Sequence, residues 1–152
     1  KFPRAYVKVL RVCAMLHDIG STFKFYNNAK HTAYMILNSN LYGISHRDLV
    51  LAALVTDVNN KEGTNYTEWA KYNCILSPED VEAVKKLSVI LRLATALDFG
   101  MRNAVTELSC DVLGDSVIMK TELTCDAELE LKAANLLGVD FKKVFKKNLE
   151  IL

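Results

Sequence analysis

The chain has 152 residues, of which 51% are apolar, enough to bury the core of one domain without disulfide or metal staples. Lys and Arg total 19 against 18 Asp and Glu, so the net charge of +1 excludes a global field that would gather nucleic acid or an anionic membrane, and any polyanion site must be local. No apolar run approaches the roughly 20 residues of a membrane span and no signal peptide is evident, while Cys13, Cys74, Cys110 and Cys125 lack C-x-x-C spacing and read as reduced thiols of a cytoplasmic protein.

Lys1 stands where a Met would, and Phe2 leads at once into an apolar periodic segment, as in a domain cut from a longer chain. Tyr6, Val9, Leu10, Cys13 and Leu16 recur at three- and four-residue steps, which predicts a helix from Ala5 ending at Asp18-Ile19-Gly20. The polar stretch 21–30, with Asn27-Asn28, predicts a loop, and a second helix begins near His31, runs to about Leu41 and stops at Gly43. Ser45 followed by Asp48 resembles a capping box and opens a third helix with an apolar face of Leu49, Ala52, Ala53 and Val55, fading at Asn59-Asn60. Residues 61–75 are polar and hold Trp69, which predicts a loop with a short helix. Ser77-Pro78-Glu79-Asp80 combines an N-cap, a first-turn proline and two acids at the positive dipole end, so a helix runs from Pro78 to about Leu97. Beyond Gly100 the texture changes. Val105–Val112 and Ser116–Leu123 flank the turn signal Gly114-Asp115 and predict a hairpin with Val117, Met119, Thr121 and Leu123 on one face. Two short helices, Asp126–Leu137 and Asp140–Lys147, and a final strand at 148–152 complete the reading. Leu16, Ile36, Leu54, Leu87, Ile90 and Leu93 are expected to share one core.

The chemistry-bearing stretch is Leu16-His17-Asp18-Ile19-Gly20 with Lys30-His31 after it. An Asp directly after a His at a helix end places an imidazole and a carboxylate within reach of one divalent ion, and Gly20 lets the chain turn away. The pair is the mark of the HD fold, though a short motif, since His-Asp dipeptides also arise by chance. Ala14 to Gly20, Lys30 to Ser45 and Leu91-Arg92-Leu93-Ala94-Thr95-Ala96-Leu97-Asp98, in that order, resemble the C-terminal region of exopolyphosphatases and guanosine pentaphosphate phosphohydrolases.

The resemblance implies a mainly α fold, an HD-like helical bundle over 1–100 with a small α/β C-terminal cap over 101–152. It also implies a longer parent, in which N-terminal actin-like domains with phosphate loops and Mg²⁺ hydrolyse phosphoanhydride bonds. None of those features is present in this chain, so no cofactor is expected here. By the same resemblance the site is incomplete. His17, Asp18 and His31 match HD positions, the upstream His is not found, Thr95 stands where a closing Asp falls, and Asp57 replaces a His after the third helix's apolar run. Asp98, one turn beyond Thr95, is the remaining candidate ligand. Two readings follow: a surviving metal site that hydrolyses a phosphoester through bound hydroxide, or a vestigial pocket whose polar groups bond to each other and to helix ends; the missing carboxylate favours the second.

In that family the C-terminal region helps hold polyphosphate and forms a dimer, which directs attention to Lys24, Lys30, His31, His46, Arg47, Arg92, Arg102, Lys142, Lys143, Lys146 and Lys147. Lys30, His31 and Arg92 are the expected phosphate contacts, because they belong to the matching blocks; the lysines around Val144 and Phe145 read as a solvated face. The favoured function is thus an accessory domain, inactive alone, that binds a phosphate polyanion and dimerises, with no nucleic-acid or membrane partner. The alternative is a free-standing metal-dependent HD phosphohydrolase acting on a nucleotide.

Overall fold

The computed structural model describes residues 3–59 and 66–152, so the loop expected at 60–65 lies outside the described residues. The chain divides into two compact units, Lys1–Leu91 and Arg92–Leu152, the division falling within a helix. In the first unit α1 (Arg4–Leu16), α2 (Asn28–Leu37), α3 (His46–Asn59) and most of α4 (Pro78–Leu97) are joined by 3₁₀ turns at Ile19–Thr22 and Tyr66–Tyr72.

α1 follows its periodicity: Tyr6, Val9 and Cys13 are buried, with Leu10 and Leu16 partly buried against the same core. α2 is displaced from the expected span at both ends. It starts at Asn28 because Asn27 takes a left-handed backbone (φ 58°), which an Asn tolerates, and serves as N-cap. It ends at Leu37 because Asn38 and Ser39 compete for the closing carbonyls, Asn38 Nδ2 donating to Tyr34 O (2.8 Å) and Ser39 Oγ to Ile36 O (2.7 Å).

α3 is the centre of the first unit. An amphipathic helix is expected there, but every residue from Leu49 to Asp57 is buried, with α1 and α2 packed on it and Val84, Leu87 and Leu91 of α4 in the same cluster. The uninterrupted apolar run Leu49–Val55 already carries that message, because a helix apolar on all sides has no face to offer water. Of the expected core, Leu16, Ile36, Leu54 and Leu87 belong to this cluster. Ile90 is only half-buried and Leu93 is buried within the second unit. Shortening Ile36 by one methylene (Ile36→Val) should cost about 1 kcal/mol in chemical denaturation, since the side chain is 1% exposed. A loss within experimental error would place it outside the core.

The second unit contains the hairpin of β1 (Val105–Leu113) and β2 (Ser116–Leu123), then α5 (Glu128–Leu136), α6 (Gly138–Phe145) and β3 (Asn148–Ile151). Leu113 pairs with Ser116 across Gly114-Asp115, where Gly114 adopts φ 53°, and β3 adds parallel to β2, giving the mixed order β1-β2-β3. Val117 and Met119 point to the covered face, as their alternation predicts. The architecture is mainly helical with a small C-terminal mixed sheet. The connection leaving α4 is tied down by Glu130 of α5, 1% exposed, whose two carboxylate oxygens accept from Arg102 Nη2 at 3.1 and 3.3 Å.

Candidate functional site

The His-Asp pair sits where α1 ends and the chain turns towards α2. His17 closes α1 in helical backbone, and its ring Nδ1 lies 2.9 Å from the Ala14 carbonyl. A carbonyl only accepts, so that nitrogen carries the proton, and in the neutral ring the lone pair is left on Nε2. Asp18 precedes the 3₁₀ turn. Its Oδ1 accepts from Asn28 Nδ2 (3.0 Å) and its carbonyl accepts from the Ser21 amide (3.0 Å) and hydroxyl (2.7 Å). The Asp18 side chain therefore ties the turn to the start of α2, while the His17 ring is bonded back into the last turn of α1.

Gly20 makes this junction sterically possible. Its amide donates to Thr32 Oγ1 (2.9 Å), and a Cβ built on it would lie 2.2 Å from the Asn28 carbonyl oxygen and 2.5 Å from the Thr32 nitrogen. The turning freedom expected of Gly20 is not what is used: it is absent from the positive-φ residues, and the requirement is close backbone approach. Buried Thr32 completes the joint by a longer contact to the His17 carbonyl, 3.4 Å.

His31, next to Thr32 on α2, is half-exposed and meets the ring of Phe23 edge-on at 5.1 Å. Lys30 pairs with Glu68 at 3.3 Å, both side chains about half exposed. The other two candidates belong to the second unit. Arg92 pairs with Asp140 (2.8 Å), and exposed Asp98 accepts the Met101 amide on its carbonyl (2.9 Å). Thr95, at the position of the closing carboxylate, returns its hydroxyl to the Arg92 carbonyl of its own helix (3.0 Å). Among the described residues no three His, Cys, Asp or Glu side chains gather to hold an ion. His17 Nε2 and the second oxygen of Asp18 are two donors, whereas a catalytic zinc takes three protein ligands. The junction by itself does not fit a catalytic zinc.

Several cations considered from sequence are committed elsewhere. Arg102 serves Glu130, Lys143 reaches Asp140 at 3.6 Å, and Lys147 donates to the Gly114 carbonyl. Arg47 forms a fork on Asp80, which is 0% exposed: Nε donates to Oδ2 at 3.0 Å and Nη2 to Oδ1. Asp80 also accepts from the Tyr6 hydroxyl (2.8 Å) and the Ser77 amide (2.9 Å), while its own amide donates to Ser77 Oγ (3.2 Å). Burial works to raise the Asp80 carboxyl, but the Ser77 amide, Arg47 and Tyr6 outweigh it and hold it below the usual carboxylate range. Burial, reinforced by Asp80, pushes the Tyr6 hydroxyl up. From the sequence Asp80 is one of two acids at the positive dipole end of α4. The sign that it does more is its place three residues after Ser77, the partner position of a reciprocal cap. Asp57, noted only as a replacement for His, is buried and accepts from the indole Nε1 of Trp69 (2.9 Å), and so fastens the 3₁₀ turn to α3.

No curated protein matches the chain. The family described as Ppx/GppA phosphatase, domain III, matches residues 3–143. With the helical first unit carrying a His-Asp turn and the small mixed sheet after it, that match covers nearly all of the sequence, and the chain belongs to the Ppx/GppA phosphatase family as its domain III.

Proposed function

We propose that this chain is the accessory domain of a cytoplasmic exopolyphosphatase-type phosphatase, that it binds a phosphate polyanion and dimerises, and that it does not hydrolyse phosphoanhydrides alone. The observation that supports this reading best is the use made of the His-Asp turn: His17, Asp18, Gly20 and Thr32 act together as a joint between helices, with their polar atoms bonded to backbone and to Asn28. Mg²⁺-dependent chemistry then belongs to actin-like domains of a parent chain. Phosphate release above background from polyphosphate or a nucleotide with Mg²⁺, Mn²⁺ or Zn²⁺, abolished by His17→Ala, would instead establish a metal-dependent HD phosphohydrolase.

For the polyanion the contact is Lys30 and His31 on α2; Arg92, in the second unit and paired with Asp140, is a separate candidate. Lys30 is held in place by an exposed pair with Glu68, which is worth well under about 1 kcal/mol and is readily exchanged for phosphate. If two phosphates are neutralised, a roughly fourfold rise in salt should weaken binding about seven-fold, on the slope of about −0.7 per phosphate for a single-stranded polyanion. Titration with medium-length polyphosphate at two salt concentrations measures this. Lys30→Ala should weaken binding and Lys142→Ala, on the exposed side of α6, should not. Equal losses in the two variants, or no binding at low salt, would remove the polyanion role.

A further inference from the structure

The segment between α1 and α2 leaves its rings in water. Phe23, Phe25 and Tyr26 are each more than three-quarters exposed, and Tyr34 of α2 is 67% exposed. Apolar side chains gathered on a surface in this way mark a binding face. They form a track. Phe23 meets the ring of His31 edge-on, and His31 and Tyr34, three residues apart on α2, share a face of that helix. Tyr34 in turn lines a cavity of about 170 Å³ together with Trp69 and Tyr72 of the second 3₁₀ turn, whose ring centroids lie 5.6 Å apart.

Cations accompany the rings. Exposed Lys24 stands between Phe23 and Phe25 in the chain, Lys30 and Lys71 line the cavity with Tyr34, and Lys71 Nζ lies 5.1 Å from the centre of the Tyr72 ring. Residues 19–47 contain no Asp or Glu. The two acids at the cavity are engaged, Glu68 with Lys30 and Asp57 with the Trp69 indole. A net charge of +1 excludes a global field for nucleic acid but leaves room for this local one.

We propose that the polyanion held at Lys30 and His31 is a single-stranded nucleic acid, with Lys24, Lys30 and Lys71 on its phosphates and its bases stacked on Phe25, Tyr26 and Tyr34. The proposal rests on the polyanion reading above and names the class of ligand. A bare polyphosphate uses the cations and leaves the rings in water, whereas every base has a π-face to set against them, so rings interleaved with cations fit a strand that carries bases. The strand must be single, because a duplex hides those faces in its own stack.

A short labelled RNA of mixed sequence, titrated against the full chain and followed by fluorescence anisotropy, should bind. Phe25→Ala and Tyr34→Ala should each weaken that binding about fivefold or more, the loss of one stacking platform. Both side chains are exposed, so the circular dichroism spectrum should not change. Medium-length polyphosphate should bind equally well to wild type and to both ring variants, while Lys30→Ala weakens both ligands. RNA affinity untouched by the ring variants, the same losses with polyphosphate, or equal affinity for a duplex of the same sequence would overturn base stacking and leave the polyanion reading standing. Failure of both ligands to bind at low salt would overturn both. Ring-dependent binding to phosphatidylserine vesicles with no binding of RNA would assign the surface to a membrane and overturn the proposal.

Discussion

Replacing Asp80 by Ala should cost about 3 kcal/mol, the lower end of what is lost when one partner of a buried ion pair is removed. The carboxylate is inaccessible to solvent and satisfies three separate groups, the Tyr6 hydroxyl, the Arg47 fork and the Ser77 amide, which belong to α1, α3 and the cap of α4. Loss of the acid removes the acceptor that the tyrosine hydroxyl and the amide use in a desolvated place. Arg47, 39% exposed, recovers part of its hydration, which limits the cost. Tyr6→Phe removes one neutral donor and should cost about 1 kcal/mol. The pH dependence has a definite sign. Because the folded carboxyl lies below its ordinary value, its contribution is complete above that ordinary value, about 3.9, and disappears as pH falls through the folded one. Urea denaturation of wild type and Asp80→Ala across the acid range should show the two converging at low pH. A constant gap, or a loss below about 0.5 kcal/mol at neutral pH, would show that the network contributes nothing beyond ordinary surface contacts.

Gly20→Ala should cost about 3 kcal/mol or more, the upper range for forcing atoms into a packed site. The two nearest obstacles, the Asn28 carbonyl oxygen at 2.2 Å and the Thr32 nitrogen at 2.5 Å, are backbone atoms of α2 and cannot swing aside as a side chain does. The added methyl must push α2 from the 3₁₀ turn, breaking the Gly20 amide to Thr32 bond and loosening the Asn28 to Asp18 bond. Gly43→Ala is a control of another kind, with open space around the new atom and only the strain of a left-handed backbone at φ 78° to meet. It should cost about 1 kcal/mol. Chemical denaturation compares them, and a smaller loss at Gly20 than at Gly43 would show that α2 does not approach the turn so closely.

The Gly20 result bears on function as well as stability. If the His-Asp turn is a joint, the variant should lose folding stability with no catalytic readout to lose. If the turn instead carried chemistry, moderate loosening would appear first in hydrolysis, before global unfolding.

The sequence by itself determined the helical bundle and the strand pair, because local rules dominate there: α1 by its three- and four-residue spacing, α4 by Ser77-Pro78, the hairpin by Gly114-Asp115. The matching blocks likewise made the family legible before any contact was known. Where local signals were weak, tertiary structure decided. α2 moved because the left-handed backbone of Asn27 set its start and the side chains of Asn38 and Ser39 its end. Parallel pairing of β3 with β2 depends on where two intervening helices deliver the chain, which no local pattern encodes. The same holds for site chemistry. Identical residue types at Asp18, Asp57, Asp80 and Asp98 became an acceptor for the Asn28 side chain, an indole acceptor, a buried ion-pair hub and an exposed acid, since an acid's role follows from what desolvates it and what reaches it. Those quantities arise only when distant segments pack together.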